Sequence, residues 1–262
     1  MLNQTYFSPP YHTARRRAQL TVVLLVVGAV ISFLTIPSHI LEMYFPPFDA
    51  NQEVADNLGG FIALMLTAVL ALATVGVYIA TVISFLMWLH RASSNLRAFG
   101  EPQDTSPGWA VGSFFVPFAN LFVPYRGVRE VWKKSDPAAA NSMFYPVSPP
   151  AFFPAWWGFW IASNIANNIY FRMSTFDAGR DATALVGIFS EILSIAAAGF
   201  AIMVIREIDR RQEERSRSLP QYGELRPPPP PVFPARATAP IAGAGAPSAP
   251  PLDQSNSPIT GA

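Results

Sequence analysis

The chain of 262 residues has no cysteine, only three histidines, and charged side chains at just 13% of its positions. Each shortage excludes something. Without cysteine there is no disulfide, no thiolate metal site and no cysteine nucleophile, and the redox compartment leaves no mark. His12, His39 and His90 are too far apart for a HExxH zinc motif, and neither a Walker loop nor a GxSxG nucleophile elbow occurs. Catalysis is therefore disfavoured, and no metal or cofactor is expected. The 18 basic and 17 acidic residues nearly cancel to a net charge of +1, and no basic stripe alternates with aromatics, so nucleic acid is not expected as a partner.

Apolar residues fill the space those shortages leave: hydrophobic side chains make up 51% of the chain, too many for an ordinary soluble domain. A bilayer core needs roughly 20 apolar residues of helix. Four stretches meet that need: Leu20 to Ile40, Leu58 to Leu89, Ala151 to Phe171 and Ala182 to Ile205. They predict an all-α integral membrane bundle of four transmembrane helices over residues 20–213. Arg15, Arg16 and Arg17 precede the first stretch, which is long and lacks a small-x-small cleavage site before Pro37, so residues 1–19 read as the cytosolic start of an uncleaved signal anchor. The second stretch carries no charge and is too long for a perpendicular span; it is expected to tilt or project, and to stay helical through Arg97 until Gly100.

Residues 107–125 are apolar enough to raise a fifth span. Pro117 and Pro124 argue against a continuous helix. Charge argues the same way, because Lys and Arg collect on the cytosolic side. Four spans with a cytosolic N-terminus leave only Arg172 and Arg180 outside, whereas a fifth span would move most basic residues out. The segment is expected to be a cytosolic re-entrant or interfacial pair of short helices, with both termini cytosolic. Beyond Ile205 the helix is expected to continue to Arg217 as a charged, solvated stub. Residues 218–262 hold 12 of the 26 prolines, including Pro227 to Pro231, and read as a disordered tail, either plainly solvated or a ligand for an SH3-like partner. The excess of Arg over Lys reads as a GC-rich bacterial genome, and the expected location is the bacterial cytoplasmic membrane.

A composite pattern runs through residues 88–134: Trp88-Leu89-x-Arg91-x-x-x-Asn95-Leu96-Arg97, Ser106-Pro107-Gly108-Trp109-Ala110-Val111-Gly112, Phe115-x-Pro117-x-x-Asn120-Leu121-x-x-Pro124-Tyr125 and Arg129-Glu130-x-Trp132. It resembles the bacterial membrane family called domain of unknown function 4328, over roughly residues 60–213. Trp156-Trp157-x-x-Trp160 and Val204-Ile205-Arg206-x-Ile208-x-x-Arg211-Gln212 fit the later helices of that family. The resemblance implies a multi-helix membrane protein with no established activity. Ser113-Phe114 departs from the more Trp-rich stretch expected there.

Two groups of residues are candidates for function. Glu191 is the one acid inside a predicted span, and it must face protein or water because a charged group in lipid is costly. Its face of Gly187, Ser194 and Ala198 is small enough for close helix packing. Depth counted from the external hairpin places Asn164 opposite it, on a face with Asn167 and Asn168, so Glu191 is expected to hydrogen-bond to Asn164 or Asn167. The cluster is either a proton or small-cation site or simply interhelical glue. The second group is cytosolic. Trp88, Arg91 and Asn95 share a helical face, with Trp109, Pro117, Asn120, Pro124 and Trp132 nearby. Arg91 offers a planar fork to a lipid headgroup or anion, although Trp88 and Arg91 also suit a plain interfacial anchor. Asn120 caps a broken helix or binds an ion. Trp109 and Trp132 are expected to pack beneath the second helix. Thr67, Thr74 and Thr81 repeat along one seam, which reads as helix packing more readily than as a pore lining.

Two functions follow as expectations. The leading one is an interaction or regulatory protein whose cytosolic layer engages membrane lipid headgroups, a protein partner or a second copy of the chain. The alternative is a small transporter or channel built on the Asn/Glu cluster.

Overall fold

The computed structural model describes residues 9–218 except 46, 50, 52, 139–147 and 177–178, so the expected disordered tail falls outside the described residues almost entirely. Among those described the chain is all helix, with no strand. Four long helices, α1 (Arg15–Tyr44), α2 (Leu58–Ala98), α5 (Phe152–Thr175) and α6 (Arg180–Arg217), are joined by a compact segment carrying α3 (Pro107–Gly112) and α4 (Val123–Lys134). Each of the four apolar stretches is a helix. Three of them, α1, α2 and α6, are long and apolar enough to cross a membrane, which marks a membrane protein. The 24-residue α5, interrupted by Asn164, Asn167 and Asn168, is not among those three.

Local chemistry sets the ends. The Asn57 side chain accepts from the Gly60 amide at 2.9 Å and starts α2. At its other end Gly100 takes φ +71°, and the amides of Gly100 and Glu101 donate to Arg97 and Leu96, a Schellman cap. In α1, Pro37 provides no amide; Thr35 and Ser38 donate their hydroxyls to Ile31 and Thr35 carbonyls around it. Residues 107–125 do not form a continuous helix. Ser106 caps a six-residue α3, the chain breaks through short turns at Phe118 (φ 62°), and α4 restarts with Pro124 in its first turn. A fifth helical span there is thereby excluded.

The long helices pack side by side in the order α2, α1, α6, α5, each antiparallel to its neighbour. Hydrogen bonds fix the ends. Tyr11 and Thr13, just before α1, reach Glu213 near the end of α6, and Arg180 at the start of α6 donates to the Glu42 and Phe45 carbonyls. At the end near α3 and α4, called here the hairpin end, α2, α4, α5 and α6 converge on one core that includes Trp88, Leu96, Val128, Trp132, Phe153 and Ile208. Because of that convergence the C-terminal part of α6 is not a solvated stub. Ile208, Gln212 and Arg215 are buried, and the arginine is held by Phe99, Glu101 and the Lys134 carbonyl. Away from this end the helices expose long apolar faces, such as Val23, Val30, Phe33 and Leu34 of α1. Such surface is stable in hydrocarbon and not in water.

Candidate functional site

α2 and α5 are the outer helices of the row, and along most of their length they do not pack on each other. The space between them, floored by α1 and α6, is a cavity of about 650 Å³. Its hairpin end is closed by aromatic rings: Phe85 of α2 meets Trp156 of α5 at 6.0 Å, and Phe114 lies edge-on to Phe85 at 5.8 Å and to Trp160 at 6.4 Å. Ser113 and Phe114, where the sequence departs from a Trp-rich pattern, thus supply one buried hydroxyl and the ring that plugs the cavity.

Most of the wall is apolar, with hydroxyls and amides from Ser32, Thr74, Thr81, Asn120, Ser163, Asn164, Asn167 and Ser194. Glu191 is the one carboxylate on it, and no Lys or Arg is among the described lining residues. Glu191, Asn164 and Asn167 all line this one cavity. The expected hydrogen bond between them is absent. Asn164 and Asn167 donate to the Trp160 and Ser163 carbonyls of their own helix, at 2.6 and 3.0 Å, and Glu191 faces the Ser32 hydroxyl of α1. The packing order explains this, because α6 lies between α1 and α5 and turns Glu191 toward α1. Asn168 is placed differently again, in a neighbouring depression with Asn164, Ile165 and Arg172.

The residues proposed for the cytosolic layer separate into two sets. Trp88, Asn95 and Trp132 are buried: Asn95 donates to Gln212 Oε1 at 3.1 Å, Gln212 donates to the Ala92 carbonyl and to Ser135 Oγ, and Arg211 lies over the Trp132 ring at 4.2 Å. They join α2, α4 and α6. Pro124 is buried at the start of α4, and Arg91 is half-buried beside them. Trp109 contradicts the expected packing under the second helix: it is 47% exposed, because the six-residue α3 turns Pro107 and Ala110 inward instead. It is followed by an exposed apolar rim of Phe115, Val116, Phe118 and Phe122, which also holds Pro117; Asn120 lines the cavity and the neighbouring depression. On α4 the rim is followed by exposed Arg126, Arg129 and Lys133. Lys134 is tucked in: burial alone would lower its ammonium, but hydrogen bonds and ion pairs to Glu130 and Asp104 hold it above its ordinary value.

The model of the family described as domain of unknown function (DUF4328) matches residues 57–210, more than half of the chain. The chain belongs to the DUF4328 family. The matched region covers α2 through most of α6, and so both the hairpin-end core and most of the cavity wall of this DUF4328 protein. No curated protein and no solved structure matches the chain.

One cluster at the distal end went unnoticed in the sequence. His39 is almost fully buried, edge-on to Tyr170 at 5.1 Å, and seated where a side chain on Gly187 would collide with its ring at 2.8 Å. Its Nδ1 is 3.5 Å from Glu42, whose other oxygen accepts from Thr67 at 2.9 Å. Thr67, read as part of a packing seam, therefore ties α2 to α1 through a carboxylate. The available signal was His39 three residues before Glu42, which places both on one helical face.

Proposed function

We propose that this DUF4328 protein is a four-span membrane protein that holds a small amphipathic molecule, taken from the bilayer, in the cavity between α1, α2, α5 and α6. The reading develops the transporter alternative rather than the leading one. The cavity carries it: about 650 Å³ is the size range of small-molecule sites, and a mostly apolar wall with a few placed polar groups is their usual chemistry. α5 is the fourth span, since 24 residues give about 36 Å of helix, and its asparagines face the cavity and its mouth, away from any need to be apolar. The bias of Lys and Arg supports an orientation with both termini and the α3–α4 segment in the cytosol, in a bacterial cytoplasmic membrane. The exposed rim from Trp109 to Phe122, followed by Arg126, Arg129 and Lys133, supports a second role for that segment. Aromatic rings beside cations suit the headgroup layer, so the layer engages lipid there. A protein partner or second copy would have to use the same rim.

Native mass spectrometry of the full chain extracted from its own membranes tests the cavity. A bound small molecule of constant mass is expected, and Ala198→Phe, which fills the cavity from α6, should remove it while the melting temperature holds. An adduct pattern unchanged by Ala198→Phe would sink the proposal. Topology is read from single cysteines in this cysteine-free chain. Lys133→Cys, exposed on α4, marks the inside, and Asp181→Cys, exposed at the start of α6, marks the outside. Labelling of Lys133→Cys by an impermeant reagent on intact cells would refute the orientation.

A further inference from the structure

We infer that the molecule selected by this cavity is a lipophilic cation, with Glu191 as its counter-charge and the aromatic closure at the hairpin end as the seat of its apolar body. The inference rests on the cavity being a binding site and adds the charge of the ligand. Three observations carry it. Glu191 is the one carboxylate on a wall whose described residues include no Lys or Arg. Its hydrogen-bonding neighbour is the Ser32 hydroxyl of α1, and one turn farther toward the distal end, beside Gly187, lie the His39 ring of α1 and the Tyr170 phenol of α5. None brings a permanent positive charge; at the distal end Arg180 is committed to the Glu42 and Phe45 carbonyls, and Arg172 lines the neighbouring depression rather than this cavity. A carboxylate in such a site is stabilised by a cation it can meet directly, and is costly without one.

The third observation is the shape of the far end. Phe85, Phe114, Trp156 and Trp160 make a continuous aromatic surface there, with Trp157 stacked on Trp160 at 4.7 Å. Phe200 of α6 stacks on Phe159, next to Trp160, at 5.5 Å. Ala201 of α6, which lines the cavity and belongs to the same core as Trp156, lies ten residues beyond Glu191, so the carboxylate and the rings are separated by about 15 Å along the helix. The ligand that satisfies both is elongated, with an ammonium-like head toward Glu191 and a flat apolar body toward the rings. Aromatic faces attract cations as well, so nothing in the cavity favours an anion.

A charge-matched set of rod-shaped fluorophores tests this: diphenylhexatriene, its trimethylammonium derivative and its propionate derivative, added to the full chain in lipid nanodiscs. The readout is saturable energy transfer from the tryptophans above that of empty nanodiscs. The trimethylammonium probe is expected to bind most tightly and the propionate least. Glu191→Gln keeps a hydrogen-bonding partner for Ser32 but no charge, and should weaken the trimethylammonium probe at least about tenfold, or ~1.4 kcal/mol. The neutral probe should be unaffected by Glu191→Gln, which also reports that the variant is folded. Ala198→Phe should abolish the saturable signal of all three. Equal binding of the trimethylammonium probe to wild type and Glu191→Gln, or tighter binding of the propionate, overturns the charge assignment; if Ala198→Phe still removes the neutral probe, the cavity reading survives that result. A saturable signal for all three that Ala198→Phe leaves unchanged overturns the cavity reading and this inference together.

Discussion

The hairpin end of the bundle is packed like the inside of a soluble protein, whereas the middle of the same helices touches in a single row and leaves a trough between α2 and α5. At the hairpin end five elements meet: α2, α4, α5, α6 and the residues leading into α1, with Trp88, Trp132 and Phe153 fully enclosed. Side-chain amides and hydroxyls buried there are paired, as in the chain from Asn95 through Gln212 to Ser135, while the indole N–H groups of Trp88 and Trp132 are enclosed without a partner. In the middle, contact depends on small residues and hydroxyls, such as Gly28 against Val77 and Thr21 against Ser84 at 2.7 Å. The difference shows where this fold obtains its rigidity: one end holds the four long helices in place, and the row between can then stay open enough to hold a cavity.

If that division is correct, substitutions at the packed end should cost far more than those in the trough. The largest effect is expected for Trp132→Ala, which removes a ring 1% exposed, packed on Phe153 at 5.4 Å and under Arg211. A loss of about 3–5 kcal/mol is expected, read as thermal or denaturant unfolding in detergent. A loss near zero would mean that the hairpin end is not the rigid part.

Next comes Gln212→Ala, which takes the acceptor from the buried Asn95 amide and a donor from the Ala92 carbonyl and the Ser135 hydroxyl. It should cost about 2 kcal/mol by the same assay. Gln212→Glu would sharpen the point, since it adds a charge where the neighbouring guanidiniums of Arg211 and Arg215 are already paired with Asp136, Glu207 and Glu101, and should cost at least as much as the deletion.

A smaller effect is expected for Lys134→Met, about 1 kcal/mol, because the ion pairs to Glu130 and Asp104 sit at the edge of the core and Asp104 is largely exposed. Its pH dependence has a definite sign. The Lys134 ammonium is held above its ordinary value in the folded state, so its contribution is complete at neutral pH and below the unfolded lysine value of about 10.4. It is lost as pH rises beyond that. Wild type and Lys134→Met should therefore converge in stability at strongly alkaline pH, and a gap that persists there would show that the lysine acts through packing alone.

The smallest effect is expected in the trough. Asn164→Leu replaces an exposed amide whose hydrogen bond returns to the Trp160 carbonyl of its own helix, and should change stability by less than about 0.5 kcal/mol. A cost of several kcal/mol would show that the cavity wall carries structural load after all and would erase the contrast between the two regions.

How much of this could be read from the amino acids depends on the range of the interaction concerned. The four helices, the end of α2 near Gly100, and the break at Pro117 and Pro124 are set by apolar run length, capping side chains and proline geometry, all of which act within a few residues. The family was also legible, because the Trp, Arg, Asn and Pro positions of residues 88–134 form one composite pattern. Which side of each helix faces what was not legible. In a helix apolar on every side, residues facing lipid and residues facing another helix have the same hydropathy, so no periodicity marks the covered face. For that reason Glu191 and the asparagines could be placed at one depth but not paired, and only the order α2, α1, α6, α5 turned the carboxylate toward Ser32. The same order buries His39 against Gly187 and sets α2 apart from α5, which opens the cavity. Trp109 and the helix beyond Ile205 exchanged their expected places for a related reason. Burial at the hairpin end depends on how α3, α4 and α6 converge, and that convergence is decided by contacts between segments more than a hundred residues apart, such as those of Arg215 with Phe99 and Glu101.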